Sequence, residues 1–268
     1  MVPEPERPPE HVRGAFGLGA FGESDLERLP GSGGWRVGDV VLRKVADRAH
    51  ALWLARTFSV LEVPGLRIAR PVNTTDGRWV IGGWAASRYV AGRPESRADD
   101  TVHAAVRLHR ATVDLPKPDF LTGRQGIAAD AERMAWGELP ADIDEAGGGR
   151  WFEILAPARK PLAAPDQLVH AELFGTLLFD GDAPPALVDF VPHFRPAEWG
   201  AAVAAIDVVA WGGADLSVLQ RWSHLPDWSQ LLLRATLYRL AYHALHPGAA
   251  DVETSRLRAA AAQVSELL

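Results

Sequence analysis

The feature that most constrains the fold is a change of hydrophobic pattern near Gly92. Before this point, short apolar runs alternate with glycine-containing turns, a pattern that is typical of β-strands. Beyond it, apolar residues recur with helical spacing, and predicted helices dominate from Glu198 onwards. A strand-rich segment followed by a larger helical one predicts an α+β protein with two unequal lobes. A functional cleft is expected between the lobes.

Three regions follow from this pattern. Residues 1–10 are rich in proline and glutamate and are expected to form a disordered tail, because such a composition cannot build a packed element. Residues 11–90 form the predicted small, strand-rich N-lobe. Residues 91–268 form the predicted helical C-lobe, in which residues 168–190 are singled out below.

Local patterns predict the individual elements. The Gly38-Asp39 dipeptide joins two apolar runs and predicts a β-hairpin. The predicted strands are residues 35–37, 40–45, 68–72, 78–84, 167–170, 176–179 and 185–190. The predicted helices are residues 10–21, 47–61, 99–112, 128–136, 198–211, 230–246 and 251–268.

Composition excludes several classes of function. The chain has no cysteine, which excludes disulfides, iron–sulfur clusters and thiol nucleophiles. It carries 34 acidic against 28 basic residues, a net charge of -6, so nucleic acid is not the expected partner. Apolar runs are too short to cross a bilayer, and the first residues have no apolar segment of the signal-peptide kind. We therefore expect a soluble cytoplasmic protein with no membrane partner.

The segment Leu168–Phe190, with the sequence LVHAELFGTLLFDGDAPPALVDF, carries the strongest chemical signal. It resembles the catalytic region of the aminoglycoside phosphotransferase and choline kinase group, which has a protein-kinase-like fold. The pattern of that group is a strand, His-Gly-Asp, a short loop ending in Asn, a second strand, a turn and an apolar run ending in Asp-Phe. The continuation VPHFRPAEWGAAVAAIDVVAWGGAD is similar to an actinobacterial branch of the group whose substrate is unassigned.

The resemblance implies a role for each matched position in this catalytic-loop region. In phosphoryl transfer, one carboxylate accepts the hydroxyl proton, while an Asn and a second carboxylate hold Mg²⁺. His170 and Glu172 stand at the His and Asp positions and are the candidate catalytic residues, His170 as a brace of the loop. Thr176 stands at the Asn position, and Asp189 stands at the metal-binding Asp position. Glutamate is longer than aspartate and threonine offers a single hydroxyl, so two of these positions depart from the pattern.

The resemblance also implies that the sheet of the N-lobe faces a bound nucleotide. A lysine on the third strand, fixed by a helix glutamate, clamps the phosphates in the resembled group. Here Arg43 takes that position if residues 40–42 are the apolar approach, and Lys44 follows on the opposite face. A slip of one residue in this strand would exchange the two, so both are candidates for binding the nucleotide. The helix that should supply the acid has the sequence HALW at residues 50–53. A glycine-rich loop could also face the phosphates with its backbone N–H groups. Its residues are Gly31, Ser32, Gly33 and Gly34.

The altered base, metal, clamp and helix positions lead to three hypotheses. The first is a pseudokinase-like protein in which phosphotransfer is lost or impaired, with weak or absent binding of ATP and Mg²⁺. The second is an active ATP- and Mg²⁺-dependent phosphotransferase that uses Glu172 as base on a small hydroxyl-bearing acceptor. The third is a protein-interaction module that binds no nucleotide. The partner is a small-molecule acceptor or an unidentified protein, according to the hypothesis.

Charge balance adds further expectations. A buried charge without a partner is costly, and Arg43 lacks the helix acid. We therefore expect an Arg43–Asp189 ion pair, direct or bridged by water. Asp207, inside an apolar helix, is either a buried acid that supports the catalytic loop or a partly exposed helix acid. His243 and His246 are either metal ligands or residues at a helix C-terminus, where positive charge is favourable.

Overall fold

A computed structural model gives the structure of the chain and describes residues 6–29, 33–143, 149–246 and 254–268. The chain divides into two compact units. The first runs to Gly92 and includes Phe179–Asp189, and the second comprises Arg93–Leu178 and Phe190–Leu268. The sequence had assigned all of residues 168–190 to the helical lobe. Phe179–Asp189 groups with the strand-rich unit because Ala186 and Leu187 pair in parallel with Arg67 and Ile68.

Short strands build the sheets of both units. They are β1 (Glu27–Arg28), β2 (Gly34–Val37), β3 (Val40–Lys44), β4 (Arg67–Ile68), β5 (Pro71–Val72), β6 (Val80–Ile81), β7 (Trp84–Arg88), β8 (Asp166–His170), β9 (Leu177–Asp180), β10 (Ala183–Leu187) and β11 (Pro192–Pro196). In the first unit, an antiparallel sheet has the order β1-β2-β3-β7-β5, with β6 paired to β7. A smaller sheet has the order β4-β10-β9. The predicted hairpin is present, since Val37 pairs with Val40 across Gly38-Asp39.

Two helices pack in the first unit, α1 (Glu10–Ala15) and α2 (Arg48–Val60). The Asp47 side chain caps α2 by accepting hydrogen bonds from the backbone N–H groups of Ala49 (2.8 Å) and His50 (3.1 Å). Residues from α1 and from one face of the sheet form an apolar core. Its members are Val12, Phe16, Leu18, Trp35, Val37, Val40, Leu42, Trp84 and Ala86.

Two expectations for the first unit are wrong. Residues 1–5 of the expected disordered tail lie outside the described residues. Residues 6–10 are not disordered, because the Glu6 carbonyl accepts a hydrogen bond from the Trp35 indole at 2.9 Å, Pro8 is buried and α1 begins at Glu10. Residues 68–72 do not form one strand, because β4 and β5 belong to different sheets. Between them, Arg70 donates hydrogen bonds to two carbonyls at the C-terminal end of α2, at 2.6 and 2.8 Å, and this contact turns the chain.

Helices dominate the second unit. They are α3 (Ala98–Ala111), α4 (Ile127–Trp136), α5 (Gly149–Leu155), the single turn α6 (Leu173–Thr176), α7 (Ala197–Ala210), α8 (Val218–Arg221), α9 (Trp228–Leu245) and α10 (Ser255–Glu266). Helix α7 is buried along almost its whole length and packs against α3 and α9. Strands β8 and β11 pair antiparallel and present the end of β8 to α7. Among the described residues, no helix is both long and apolar enough to span a membrane.

Candidate functional site

The loop that follows β8 is built around His170, whose side chain is fully buried. Its Nδ1 accepts hydrogen bonds from the backbone N–H groups of Glu172 (3.3 Å) and Val191 (3.2 Å). The ring proton therefore lies on Nε2, which donates to Thr176 Oγ1 at 3.0 Å. The ring also stacks on Phe190, with the centroids 5.0 Å apart. His170 thus ties the loop to the segment that follows Asp189.

His170 is placed for bracing and not for proton transfer. Burial is the main cause that lowers its pKa to about 3, so the imidazole is neutral near pH 7. Both ring nitrogens are engaged with the loop itself. His109 supports the same strand from α3, because its Nε2 accepts from the His170 backbone N–H at 3.0 Å.

The carboxylate of Glu172, the candidate base, is held by α9. Its Oε1 accepts hydrogen bonds from the Tyr238 hydroxyl (3.0 Å) and from Arg239 Nη1 (2.9 Å), and its Oε2 accepts from Arg239 Nη2 (3.2 Å). Burial raises the pKa of Glu172, but Arg239 and Tyr238 outweigh burial and hold that pKa below its usual value. The group is an ion-paired carboxylate with low proton affinity.

Arg239 joins Glu172 to Asp207. Its Nε donates to Asp207 Oδ1 at 2.6 Å, its Nη2 donates to Asp207 Oδ2, and the same Nη2 donates to the Ala171 carbonyl at 2.9 Å. Asp207 is 2% exposed, so the buried-acid reading is the one that the structure supports. One guanidinium faces two carboxylates here. Burial, together with the charge of Glu172, raises the pKa of Asp207 to about 7 against the opposing effect of Arg239.

Aromatic rings surround this ion-paired group. Tyr238 packs edge-on against Trp199 and His193, and the guanidinium of Arg239 lies 5.8 Å from the ring centroid of Trp211. A cavity of about 280 Å³ opens beside it. Its lining includes Glu172, Phe174, Asp207, Trp211, His243 and His246. Much of this lining is aromatic, and Arg239, which also lines the cavity, is already paired with Glu172 and Asp207.

The predicted clamp residues Arg43 and Lys44 lie on opposite faces of β3. Arg43 lines a cavity together with Asp189 and donates from Nη1 to Ser87 Oγ at 3.2 Å. Burial lowers the pKa of Arg43, and the charge of Asp189 raises it. Arg43 and Asp189 therefore line the same cavity, and the expected ion pair between them stays a prediction.

Lys44 takes the other side of the strand. Its ammonium pairs with the Glu6 carboxylate at 2.9 Å and lies 5.4 Å from the Trp84 ring centroid. Arg43 is therefore the β3 residue that faces Asp189. Strand alternation in the sequence favoured this assignment, with Lys44 as the alternative if the strand slipped by one residue.

The predicted glycine loop is described in part. Gly31 and Ser32 lie outside the described residues. Gly33 has a left-handed φ of 61°, and a Cβ at Gly34 would lie 3.0 Å from Val41 and 3.3 Å from Arg43. The missing side chain of Gly34 thus lets β2 pack directly against Arg43.

One of the two predicted Mg²⁺ ligands, Thr176, is engaged within its own loop. Mg²⁺ requires near-octahedral oxygen ligands, and Thr176 was expected to supply one. Instead, the Thr176 hydroxyl donates to the Glu172 carbonyl at 2.7 Å and accepts from His170. In the part of the chain that the structure describes, no three His, Asp or Glu side chains gather closely enough to hold a metal ion. His243 and His246 belong to no such group either.

Sequence reasoning missed the two α9 residues that control Glu172. Tyr238 and Arg239 lie 66 and 67 positions beyond it. One signal was present, since an arginine inside the apolar run of α9 must find an acid, and Asp207 inside the apolar α7 must find a cation. Neither the apolar run of α9 nor that of α7 indicated that Glu172 also pairs with Arg239.

The sequence and the structure were compared with those of known proteins. No family model matches the chain, and no curated protein matches its sequence. A thermostable aminoglycoside phosphotransferase mutant, solved with ADP and hygromycin B, is similar with a TM-score of 0.56 and 17% identity, over 96% of each chain. A choline/ethanolamine kinase family protein from Mesorhizobium loti has a TM-score of 0.51 and 17% identity, over 96% of this chain and 99% of that one.

A third structure, a spectinomycin phosphotransferase with ADP and spectinomycin, has a TM-score of 0.51 and 12% identity, over 88% and 84% of the two chains. This chain has the fold of small-molecule kinases. The α+β, protein-kinase-like fold expected from the sequence is therefore confirmed. At these identities the likeness extends to the kinase-like fold and no further.

Proposed function

We propose that this chain is a kinase-fold protein in which phosphotransfer is lost or severely impaired. The observation that carries the proposal is the state of Glu172. The partly exposed side chain at the base position forms an ion pair with the buried Arg239 and accepts a third hydrogen bond from Tyr238.

A general base needs both reach and proton affinity. Both oxygens of Glu172 already accept hydrogen bonds from Arg239, and a charge-assisted hydrogen bond must be given up before the carboxylate can take a proton. The depressed pKa of Glu172 expresses the same cost. Glu172 is suited to anchoring the loop to α9 and poorly suited to accepting a hydroxyl proton.

The other altered positions support the proposal. Thr176 uses its hydroxyl inside the loop, and α2 brings no acid to Arg43. Phosphoryl transfer depends on positioning and charge neutralisation by several groups together. We propose that binding of ATP and Mg²⁺ is correspondingly weak or absent. The similar phosphotransferases were solved with ADP, so ATP is the nucleotide to test.

The test measures ADP release from ATP and Mg²⁺ over a panel of amino-alcohols and aminoglycosides. We expect the unmodified chain to release ADP no faster than its Glu172→Gln and Asp189→Asn variants, whichever acceptor is added. Nucleotide should also raise the melting temperature little, because a ligand stabilises in proportion to its occupancy. Acceptor-dependent turnover that both substitutions abolish would show an active phosphotransferase and overturn the proposal.

A further inference from the structure

A cavity of about 540 Å³ lies within the second unit, where α3, the start of α7 and the segment that leads into α9 come together. Its volume falls within the range of small-molecule sites, roughly 300–1,000 Å³. The apolar part of its wall comes from Val106, Val113, Leu225 and Pro226. Val113 is 55% exposed, so this apolar wall is open to a ligand from solution.

The charged groups at this cavity balance one another. Among the described residues that line it, Arg110 is basic and Glu198 is acidic, and neither Lys nor Asp is present. The Gln167 amide is already engaged, because its Nε2 donates to the His109 carbonyl oxygen at 2.6 Å. His224, the remaining polar side chain apart from His109, is exposed. A lining with one charge of each sign does not select an ion, and it suits a neutral ligand.

The His109 ring lines the cavity and carries its proton on Nδ1. Its Nε2 accepts a hydrogen bond from the His170 backbone N–H at 3.0 Å. Burial lowers the pKa of His109 to about 4, so the ring is neutral near pH 7 and holds a single proton. Because Nε2 is the acceptor, that proton lies on Nδ1.

The Nδ1–H group of His109 is a buried donor without a regular acceptor. His109 is 1% exposed, and within the described part of the chain its Nδ1 has no hydrogen-bond partner. The Ala197 backbone lies close enough to raise the pKa of His109 slightly, but no hydrogen bond of ordinary length and angle joins the two. Ala197 lines the same cavity, so the unsatisfied donor lies at the cavity wall.

We propose that this cavity binds a neutral small molecule that joins an apolar body to a carbonyl or hydroxyl oxygen. The oxygen accepts a hydrogen bond from His109 Nδ1, and the apolar body packs on Val106, Val113 and Leu225. A buried donor without an acceptor is unfavourable, so the oxygen of the ligand satisfies a group that the chain leaves unpaired.

The test is an NMR titration of the full chain, without nucleotide, with benzylacetone, a ketone that carries one phenyl ring. The ¹⁵N spectrum of the imidazole should first show the proton of His109 on Nδ1. Saturating ketone should move this proton downfield and should also shift the His170 amide, because Nε2 of the same ring accepts from it. A proton on Nε2, no saturable shift at millimolar concentration, or binding that leaves the His109 ring unchanged would overturn the proposal.

Matched variants test the donor and the location. His109→Gln keeps an acceptor for the His170 N–H in the place of Nε2 but removes the Nδ1 donor, and it should weaken benzylacetone binding about 5- to 100-fold. Val106→Phe fills the cavity from α3 and should abolish binding. Val60→Phe makes the same change where α2 ends, at a residue that is 76% exposed, and should leave binding intact.

The location stays testable if His109→Gln does not fold, because Val106→Phe retains the histidine. Unchanged binding in a folded Val106→Phe would refute the location, and unchanged binding in a folded His109→Gln would refute the role of the donor. Because nucleotide is absent from this titration, its failure leaves the turnover assay unaffected, and the two proposals fail separately.

Discussion

Replacing Arg239 with Met is expected to destabilise the protein by about 3–5 kcal/mol, the cost of removing one partner from a buried ion pair. The side chain of Arg239 is 4% exposed and that of Asp207 is 3% exposed, so neither charge can turn to solvent when its partner is lost. The substitution leaves two carboxylates and the Ala171 carbonyl without their donor. Urea denaturation of both proteins measures the difference.

Two controls separate charge from packing. Arg239→Lys keeps the charge but cannot form two planar forks, so an intermediate loss is expected. The triple variant Arg239→Met, Asp207→Asn, Glu172→Gln removes the stranded charges and should regain part of the stability.

The loss of unfolding free energy in Arg239→Met should be larger at pH 8 than at pH 5, because an unpaired Asp207 can be protonated at the lower pH. A loss below about 1 kcal/mol at pH 8 would contradict the buried network.

Replacing Gly200 with Ala is expected to destabilise the protein by about 1–3 kcal/mol, despite the higher helix propensity of alanine. A Cβ at this position of α7 would collide with the His109 ring and lie 2.8 Å from the His170 carbonyl oxygen. A backbone carbonyl cannot move as a flexible side chain does. The clash should displace the end of β8 and the loop that carries Glu172.

Gly14 provides the matched control for this prediction. It lies in α1 with no neighbouring atom within 4 Å of an added Cβ. Gly14→Ala should therefore stabilise the protein by up to about 1 kcal/mol, through helix propensity alone. If thermal melting ranks Gly200→Ala as high as Gly14→Ala, then α7 does not approach β8 as closely as described.

Strand alternation explains why the first unit was largely predictable. Val40 and Leu42 reach the core while Arg43 takes the other face, and this assignment needs only the period of a strand. The sequence motif in Leu168–Phe190 likewise predicted the succession of β8, the loop and β9, because it is a local pattern. Strand β11 was not predicted, because prolines stand at both of its ends and its hydrogen bonds come from pairing with β8.

The candidate site was less predictable, for a physical reason. Residue types showed that Glu172, Asp207 and Arg239 each need a partner when buried, but they did not show which groups meet. The meeting depends on how α7 and α9 pack beside β8, which is a property of the whole second unit. The sequence therefore identified Glu172 as the candidate base, and the structure shows the contacts that argue against that role.

The most direct test of the central claim is a pH titration of the Glu172 carboxyl, followed by ¹³C NMR and assigned by the loss of its signal in Glu172→Gln. The ordinary pKa of a glutamate is about 4.3. Ion pairing with Arg239 and the hydrogen bond from Tyr238 predict a midpoint below that value, and removal of the hydroxyl in Tyr238→Phe should raise it. A midpoint above 4.3 that does not change in Tyr238→Phe would identify Glu172 as a carboxylate poised to accept a proton and would contradict the account.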